Sequence, residues 1–284
     1  MRSLKSIRKR IATVRSTQKI TKAMKMVAAA RLRRAQQRLF NSRPYAERIE
    51  ELLGTVTALV PGHRMLRAPE EVSKAEFLIL TSDRGLCGAF NGNLLREIED
   101  TLRRADFPYR EVKIHVVGKK GRDYFKARQR GLTSIETGLY EEFRFEKAYQ
   151  YAKNFLEGFL SGAADHFYIV YNRFKSAITQ EIRIERILPL EPRPPAGYLP
   201  EYLYEPSRDQ VVEELIPQGI AVRIYRAFLE SMAGEFGARM TAMENATNNC
   251  ADMISRLTLQ LNRARQAAIT SELMDIVNGA EALK

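Results

Sequence analysis

Apolar residues recur along this chain in two rhythms, and the change between them divides it. Over the last third, Val222, Tyr225, Leu229, Met232, Phe236, Met240, Met243, Thr247, Cys250, Ile254, Leu257, Leu261, Ala264 and Ala268 follow at steps of three and four. That is a heptad seam, with one additional four-residue step between Phe236 and Met240 that locally unwinds a supercoil. Left in water such a stripe aggregates, so it requires a partner helix. The chain opens with a matching pattern, Leu4, Ile7, Ile11 and Val14, whose 3-4-3 spacing belongs to one side of a helix and not to a strand.

Between the two arms the rhythm changes. Glu76 to Ser82, Lys113 to Val117 and His166 to Asn172 are short β-rich runs, separated by helical stretches near 92–105, 119–130 and 145–161. Strand and helix in turn predict a mostly parallel sheet with both faces covered. Gln180 to Leu188 alternates with period two and reads as a further strand at the sheet's edge. Proline placement agrees: none occurs before Pro44, six of the eleven lie from Pro189 to Pro206, and none follows Pro217. Because proline interrupts helices, the proline-free arms are the places for long ones and 189–206 is a connector.

The expected architecture is α/β plus long helices, with segments 1–60 and 207–284 pairing as an antiparallel coiled coil around an α/β domain inserted at 61–206. A first helix ending near 43 and a second spanning about 216–278 leave roughly twenty residues, or about 30 Å, of unpaired helix at the C-terminal tip. The tip, Gln266 to Lys284, has few charges and carries Ile269, Leu273, Ile276, Val277 and Leu283, so something must sheathe it.

Charge adds a second asymmetry. The first 46 residues hold fourteen Lys and Arg and no Asp or Glu, so this stretch exceeds the net charge of +12 of the whole chain. A long basic helix attracts any acidic surface, whether nucleic acid, anionic lipid or protein. The same composition suits a mitochondrial transit peptide, but here an apolar periodicity continues deep into the chain. A nucleic-acid arm is the sharper alternative, although aromatics for base stacking are absent before Phe40. No run of eighteen apolar residues exists, which excludes a helical membrane span.

Candidate chemistry is sparse. Thr81 to Asn91 (TSDRGLCGAFN) follows a strand and precedes a helix, a place where glycine turns hold phosphate. It lacks the Lys-Ser/Thr pair of a P-loop and the full dinucleotide glycine pattern, so a tight strand-to-helix turn is the favoured reading. His63, His115 and His166 are scattered without carboxylate or cysteine partners at ligand spacing, and Cys87 and Cys250 have no metal or redox spacing. No catalytic constellation or metal site is visible, although a triad assembled in space leaves no mark on sequence.

Three segments together resemble the gamma subunit of rotary F-type ATP synthases: IRKRIATVRSTQKITKAMKMVAAARL at 7–32, SDRGLCGAFN at 82–91 and RARQAAITSELMDIVNGAEA at 263–282. The resemblance runs from end to end. It implies an antiparallel coiled coil with an inserted Rossmann-like α/β domain, turning inside a ring of α and β subunits and seated beside the epsilon subunit and the c ring. It further implies a subunit with no catalytic site, metal or cofactor of its own, ATP, ADP and magnesium being bound by α and β. Met24, Arg265 and Gln266 are the implied contacts to the α/β ring, and Tyr202, Leu203, Tyr204 and Glu205 those to the c ring. The plastid form's inserted dithiol is missing here. Nucleic acid is not an implied partner, and the start directly at the coiled coil suits the cytoplasmic face of a bacterial plasma membrane better than a mitochondrion.

Overall fold

The computed structural model describes residues 4–60, 62–67, 71–104, 106–141, 143–191, 203–205 and 207–281. Its first helix, α1, runs Leu4–Leu59 and its last, α5, runs Arg208–Glu281. Between them lie β1 (Lys74–Leu80), α2 (Phe90–Arg103), β2 (Glu111–Val117), α3 (Lys119–Ala127), β3 (Ser134–Glu136), α4 (Phe145–Leu160), β4 (His166–Phe174) and β5 (Gln180–Leu188). The chain forms two compact units, one of residues up to Ala28 and from Met240, the other Ala29–Arg239.

In the larger unit the sheet has the order β3-β2-β1-β4-β5, with β1 to β4 parallel and β5 antiparallel to β4 at one edge. β1 is central, and all but its first residue are buried, as a strand covered on both faces requires. Phe77, Ile79, Ile114, Val116 and Val170 pack with Leu94 and Ile98 of α2 and Phe125 of α3. Across the opposite face, Phe155 of α4 lies 5.0 Å from the ring of Phe167. The edge strand β3 is only three residues long, too short to show a period in the sequence.

Two helix ends differ from the proline rule. α1 passes through Pro44 and α5 through Pro217. Proline removes one intrahelical hydrogen bond and crowds the carbonyl four residues back. At Pro44 that carbonyl belongs to Phe40, and both residues are exposed, so water can serve the freed oxygen. α5 accordingly starts eight residues earlier than expected, at Arg208.

Within the larger unit, buried Leu32, Ala35, Leu39, Ala46, Ile49, Leu53 and Val56 carry the heptad rhythm along α1. α1 and α5 approach closely at Gly219, where a Cβ would stand 1.9 Å from Leu53 Cδ1. In the smaller unit Ile7 and Ile11 pack with Leu257, flanked by Val14, Ile254, Leu261 and Ala264. The hydroxyls of Thr21 and Thr247 hydrogen-bond across the helix pair at 2.8 Å, and Lys25 Nζ lies 2.6 Å from Glu244. As the number rises on α1 it falls on α5, so the pair is antiparallel.

Candidate functional site

In open parallel sheets, ligands bind where the strand order reverses, outside the carboxyl ends of the strands. Here that point lies between β1 and β4, and Thr81 to Asn91 forms its rim. The turn is committed to holding itself together. Thr81 Oγ donates to Val117 O at 2.8 Å and accepts from Gly121 N–H at 2.9 Å. Asn91 accepts from Ser82 N–H at 2.9 Å and donates to Ser82 Oγ at 2.7 Å. Asp83 accepts the N–H groups of Lys119 and Gly138 at 3.1 and 2.8 Å. Gly118, at φ +99°, lies so near Thr81 that any Cβ would meet its carbonyl oxygen at 2.1 Å.

The crest above this turn is occupied by α5. Arg239 donates to the carbonyls of Arg84 and Gly85 at 3.1 and 3.2 Å, and Glu235 holds the same guanidinium at 2.7 Å. Burial pushes the Glu235 carboxyl up, against the pull of Arg239. A Cβ at Gly234 would stand 3.2 Å from the Phe90 ring and 3.3 Å from Gln180. The Tyr140 hydroxyl meets Ser231 Oγ at 3.1 Å, and Phe228 stacks on Phe143 with centroids 3.7 Å apart. The crevice where a nucleotide would sit is filled by the chain's own helix, which bears out the reading of this glycine run as a turn. Cys87 is buried beneath it, and burial raises its thiol above the ordinary range.

One constellation invisible in the sequence does assemble. Ser134 Oγ lies 2.8 Å from His115 Nδ1, and Glu76 lies 3.0 Å from His115 Nε2. Hydroxyl, imidazole and carboxylate thus stand in the order of a nucleophilic triad, spread over β3, β2 and β1. Glu76 also accepts from Lys113 Nζ at 2.9 Å, and Phe155 packs edge-on against the imidazole at 6.0 Å. The imidazole side chain is left only 16% exposed under α4. Burial pushes the Glu76 carboxyl up, but hydrogen bonds from His115 and Lys113 outweigh it and hold the group below its ordinary value. The array ties three strands together. Among the described residues no group of three or more His, Cys, Asp or Glu could hold a metal ion.

What remains available is surface on the arms. Met24 is half-buried beside the seam, while Arg265 and Gln266 are exposed. Thr21 faces Thr247 and Lys25 faces Glu244, so Met24 stands near residue 244 of its partner helix. Arg265 is then about 30 Å further along the axis, at about 1.5 Å per residue, and the structure does not bring the two together. Beyond Ala264 the described large apolar side chains of α5 lose their cover. Ile269, Leu273, Met274, Ile276 and Val277 are each 45–67% exposed. They lie on the last seventeen residues of α5, 265–281, where about twenty unpaired residues are expected. In the other unit Leu203 is fully exposed, Glu205 is exposed and the half-buried Tyr204 ring lies 5.2 Å from the Arg208 guanidinium. Tyr202 lies outside the described residues.

Two long helices paired antiparallel, an α/β domain whose ligand crevice is filled from within, and an apolar tip exposed among the described residues define a stalk-type protein. The family model for ATP synthase matches residues 3–283. An ATP synthase gamma chain from an Anaeromyxobacter species is 47% identical, and one from Moorella thermoacetica 44%, over the full length of both chains in each case. The chain belongs to the ATP synthase gamma-chain family. Among solved structures it resembles the central stalk of the Tetrahymena thermophila mitochondrial ATP synthase, at 25% identity and TM-score 0.61 over 80% of this chain and 99% of that one. The rotor of the Euglena gracilis mitochondrial enzyme shares the fold at 21% identity and TM-score 0.67, over 94% and 98%.

Proposed function

We propose that this chain is the central rotor shaft of a proton-translocating ATP synthase, coupling rotation at the membrane to ATP synthesis or hydrolysis in an α/β hexamer. The observation that carries the reading is the full-length family match on a chain whose paired helices end in an unpartnered apolar tip. Among the described residues no helix is long and apolar enough to cross a membrane, so association through the c ring and the rest of the complex accounts for peripheral attachment. The bacterial relatives favour the cytoplasmic face of a plasma membrane.

The mechanism follows from sidedness. The outer face of α1 is rich in Lys and Arg, whereas the seventeen residues from 265 to 281 carry only Arg265, Glu272, Asp275 and Glu281 as charges. A shaft with unlike sides touches each of three equivalent β subunits differently, and those differential contacts set different nucleotide affinities. Rotation exchanges the three states. The exposed apolar tip suits a bearing, because contacts without fixed ion pairs leave no strong minimum to climb out of. In this reading Met24, Arg265 and Gln266 meet the α/β ring, and Leu203, Tyr204 and Glu205, with Tyr202, rest on the c ring beside an epsilon subunit. Catalysis, ATP, ADP and magnesium belong to α and β.

The test is reconstitution. The purified chain alone should show no ATPase activity and should restore proton-coupled ATP synthesis to a complex lacking it. Hydrolysis by the chain alone at the rate of the complex would overturn the reading. Arg265→Ala should lower coupled synthesis or torque while the thermal unfolding of the isolated chain stays unchanged; normal coupling would remove Arg265 from the contact set. No observation favours the nucleic-acid alternative.

A further inference from the structure

A cavity of about 610 Å³ opens in the larger unit between α1, α5 and the end of β4, and the rotor reading makes no use of it. Its size falls in the range of roughly 300–1,000 Å³ typical of small-molecule sites. Five cationic side chains line it against three carboxylates, Glu47, Glu50 and Glu230. Two of the five cations are engaged: Arg226 lies 3.3 Å from Glu50 and 3.4 Å from Glu230, and Lys175 lies 2.8 Å from Glu181. The other three, Arg33, Arg43 and Arg173, are exposed and make no hydrogen bond or ion pair with a described residue, the charge of Arg173 reaching Glu230 and Glu181 only at longer range.

A second observation is independent of these arginines. Glu230 is 7% exposed, and its Oε2 is buried with no hydrogen-bond donor. A buried acceptor left unserved is costly, so this carboxylate on the cavity wall calls for a donor from whatever enters. Phe40 adds a third. Its ring is 64% exposed on the same lining, a flat apolar face on which no described ring or cation stacks.

We propose that this cavity binds a nucleoside phosphate, with Arg33, Arg43 and Arg173 holding the phosphate oxygens, Phe40 stacking on the base and Glu230 accepting an N–H or O–H of the nucleoside. Guanidinium groups match phosphate oxygens in charge and fork geometry. Aromatic rings stack on bases of any identity. An inorganic polyphosphate supplies the anionic oxygens but leaves Glu230 without a donor and Phe40 without a base to stack on.

The experiment is calorimetric titration of the purified full-length chain, at fixed ionic strength, with ATP, tripolyphosphate and adenosine in separate runs. ATP should bind saturably at one site, with tripolyphosphate and adenosine each at least tenfold weaker. The double variant R43A/R173A should lower ATP affinity at least tenfold with an unchanged far-ultraviolet circular dichroism spectrum. Phe40→Ala should weaken ATP several-fold and leave tripolyphosphate where it was. Absence of saturable ATP binding, ATP affinity indifferent to R43A/R173A, or tripolyphosphate binding as tightly as ATP would each overturn the proposal. The rotor reading is measured by coupled turnover and stands or falls separately.

Discussion

Residues 216–237 and 240–281 belong to the same helix and carry charge at the same density, four in 22 residues against eight in 42, yet they live in different environments. The first stretch is buried nearly all round, with Ile216, Ile220, Ile224, Phe228, Leu229, Ser231 and Ala233 at zero exposure. The second buries one narrow stripe, where among the described side chains Met243 and Leu257 alone are buried. Charge does not separate the two; uncharged polar residues do. Ser, Thr, Asn and Gln number two in the first stretch and thirteen in the second. A helix that is apolar on every side needs a core, whereas one with a seam and a hydrated back needs a single partner. The glycines and alanines of the first stretch let α1, the sheet's crest and the β4–β5 turn come close on three sides, as Gly219, Gly234 and Gly237 each show.

The sharpest way to break this contrast is to remove a large side chain from the buried stretch. Phe228→Ala deletes a ring stacked on Phe143 and within 6.1 Å of the rings of Tyr140 and Tyr151. It should cost about 3–5 kcal/mol in denaturant unfolding, the range for a fully buried aromatic. The seam offers less: Leu257→Ala, with one helix as neighbour, should fall near the low end of the about 2–5 kcal/mol range. If the seam variant costs more than the core variant, burial on all sides is not what distinguishes the halves. Gly219→Ala should follow at about 1–3 kcal/mol, because Leu53 Cγ as well as its methyl obstructs a new Cβ, and the helix-propensity gain of about 1 kcal/mol offsets only part.

Charges sharpen the contrast on a smaller scale. Burial raises the Glu235 carboxyl above its unfolded value. The native chain therefore holds a proton that the unfolded chain releases, and stability falls as pH rises above the ordinary carboxylate range towards the folded pKa. Glu235→Gln should remove that slope, so unfolding midpoints of the two proteins compared between pH 4 and 8 should diverge in favour of the variant as pH rises. The loss of the Arg239 partner is tempered because the Arg84 and Gly85 carbonyls still receive its N–H groups. The seam pair Lys25–Glu244 has side chains 37% and 46% exposed, and Glu244→Gln should cost at most about 1 kcal/mol. A parallel pH response in both variants would show that the stretch around Glu235 is wetter than its burial indicates.

What the sequence disclosed follows the same division. The seam was legible because its partner has the same period: Ile7, Ile11 and Val14 on α1 answer Leu257, Ile254 and Leu261 on α5. The strands were legible to within two residues at most ends, since apolar runs bounded by turns set them locally. The covering of the glycine turn by α5 was not legible, because Arg239 and Gly85 lie 154 positions apart and neither carries a local signal of the other. β3 and the Glu76–His115–Ser134 array escaped for the same reason, being products of register between strands. The proline rule misplaced the end of α1 because Pro44 sits on an exposed face, where water can serve the freed carbonyl. Of the implied contact residues, Met24 is half-buried and Arg265 and Gln266 are exposed on the arms.

The smallest effect on the isolated chain should come from the tip, and that is what makes it informative. Ile276 is 67% exposed and Leu273 57%, so their side chains gain little from folding that they would not have in water. The double variant L273A/I276A should therefore leave the unfolding midpoint of the chain unchanged, with alanine's helix propensity compensating any residual loss. Coupled ATP synthesis in the reconstituted complex should respond differently, since an apolar sleeve around the tip would lose two of its contacts. A drop in assembly yield or coupling with no change in chain stability assigns these residues to a partner. A lowered midpoint with normal coupling would mean that the tip folds back on its own chain, and that the exposed half of α5 is less exposed than the buried half makes it look.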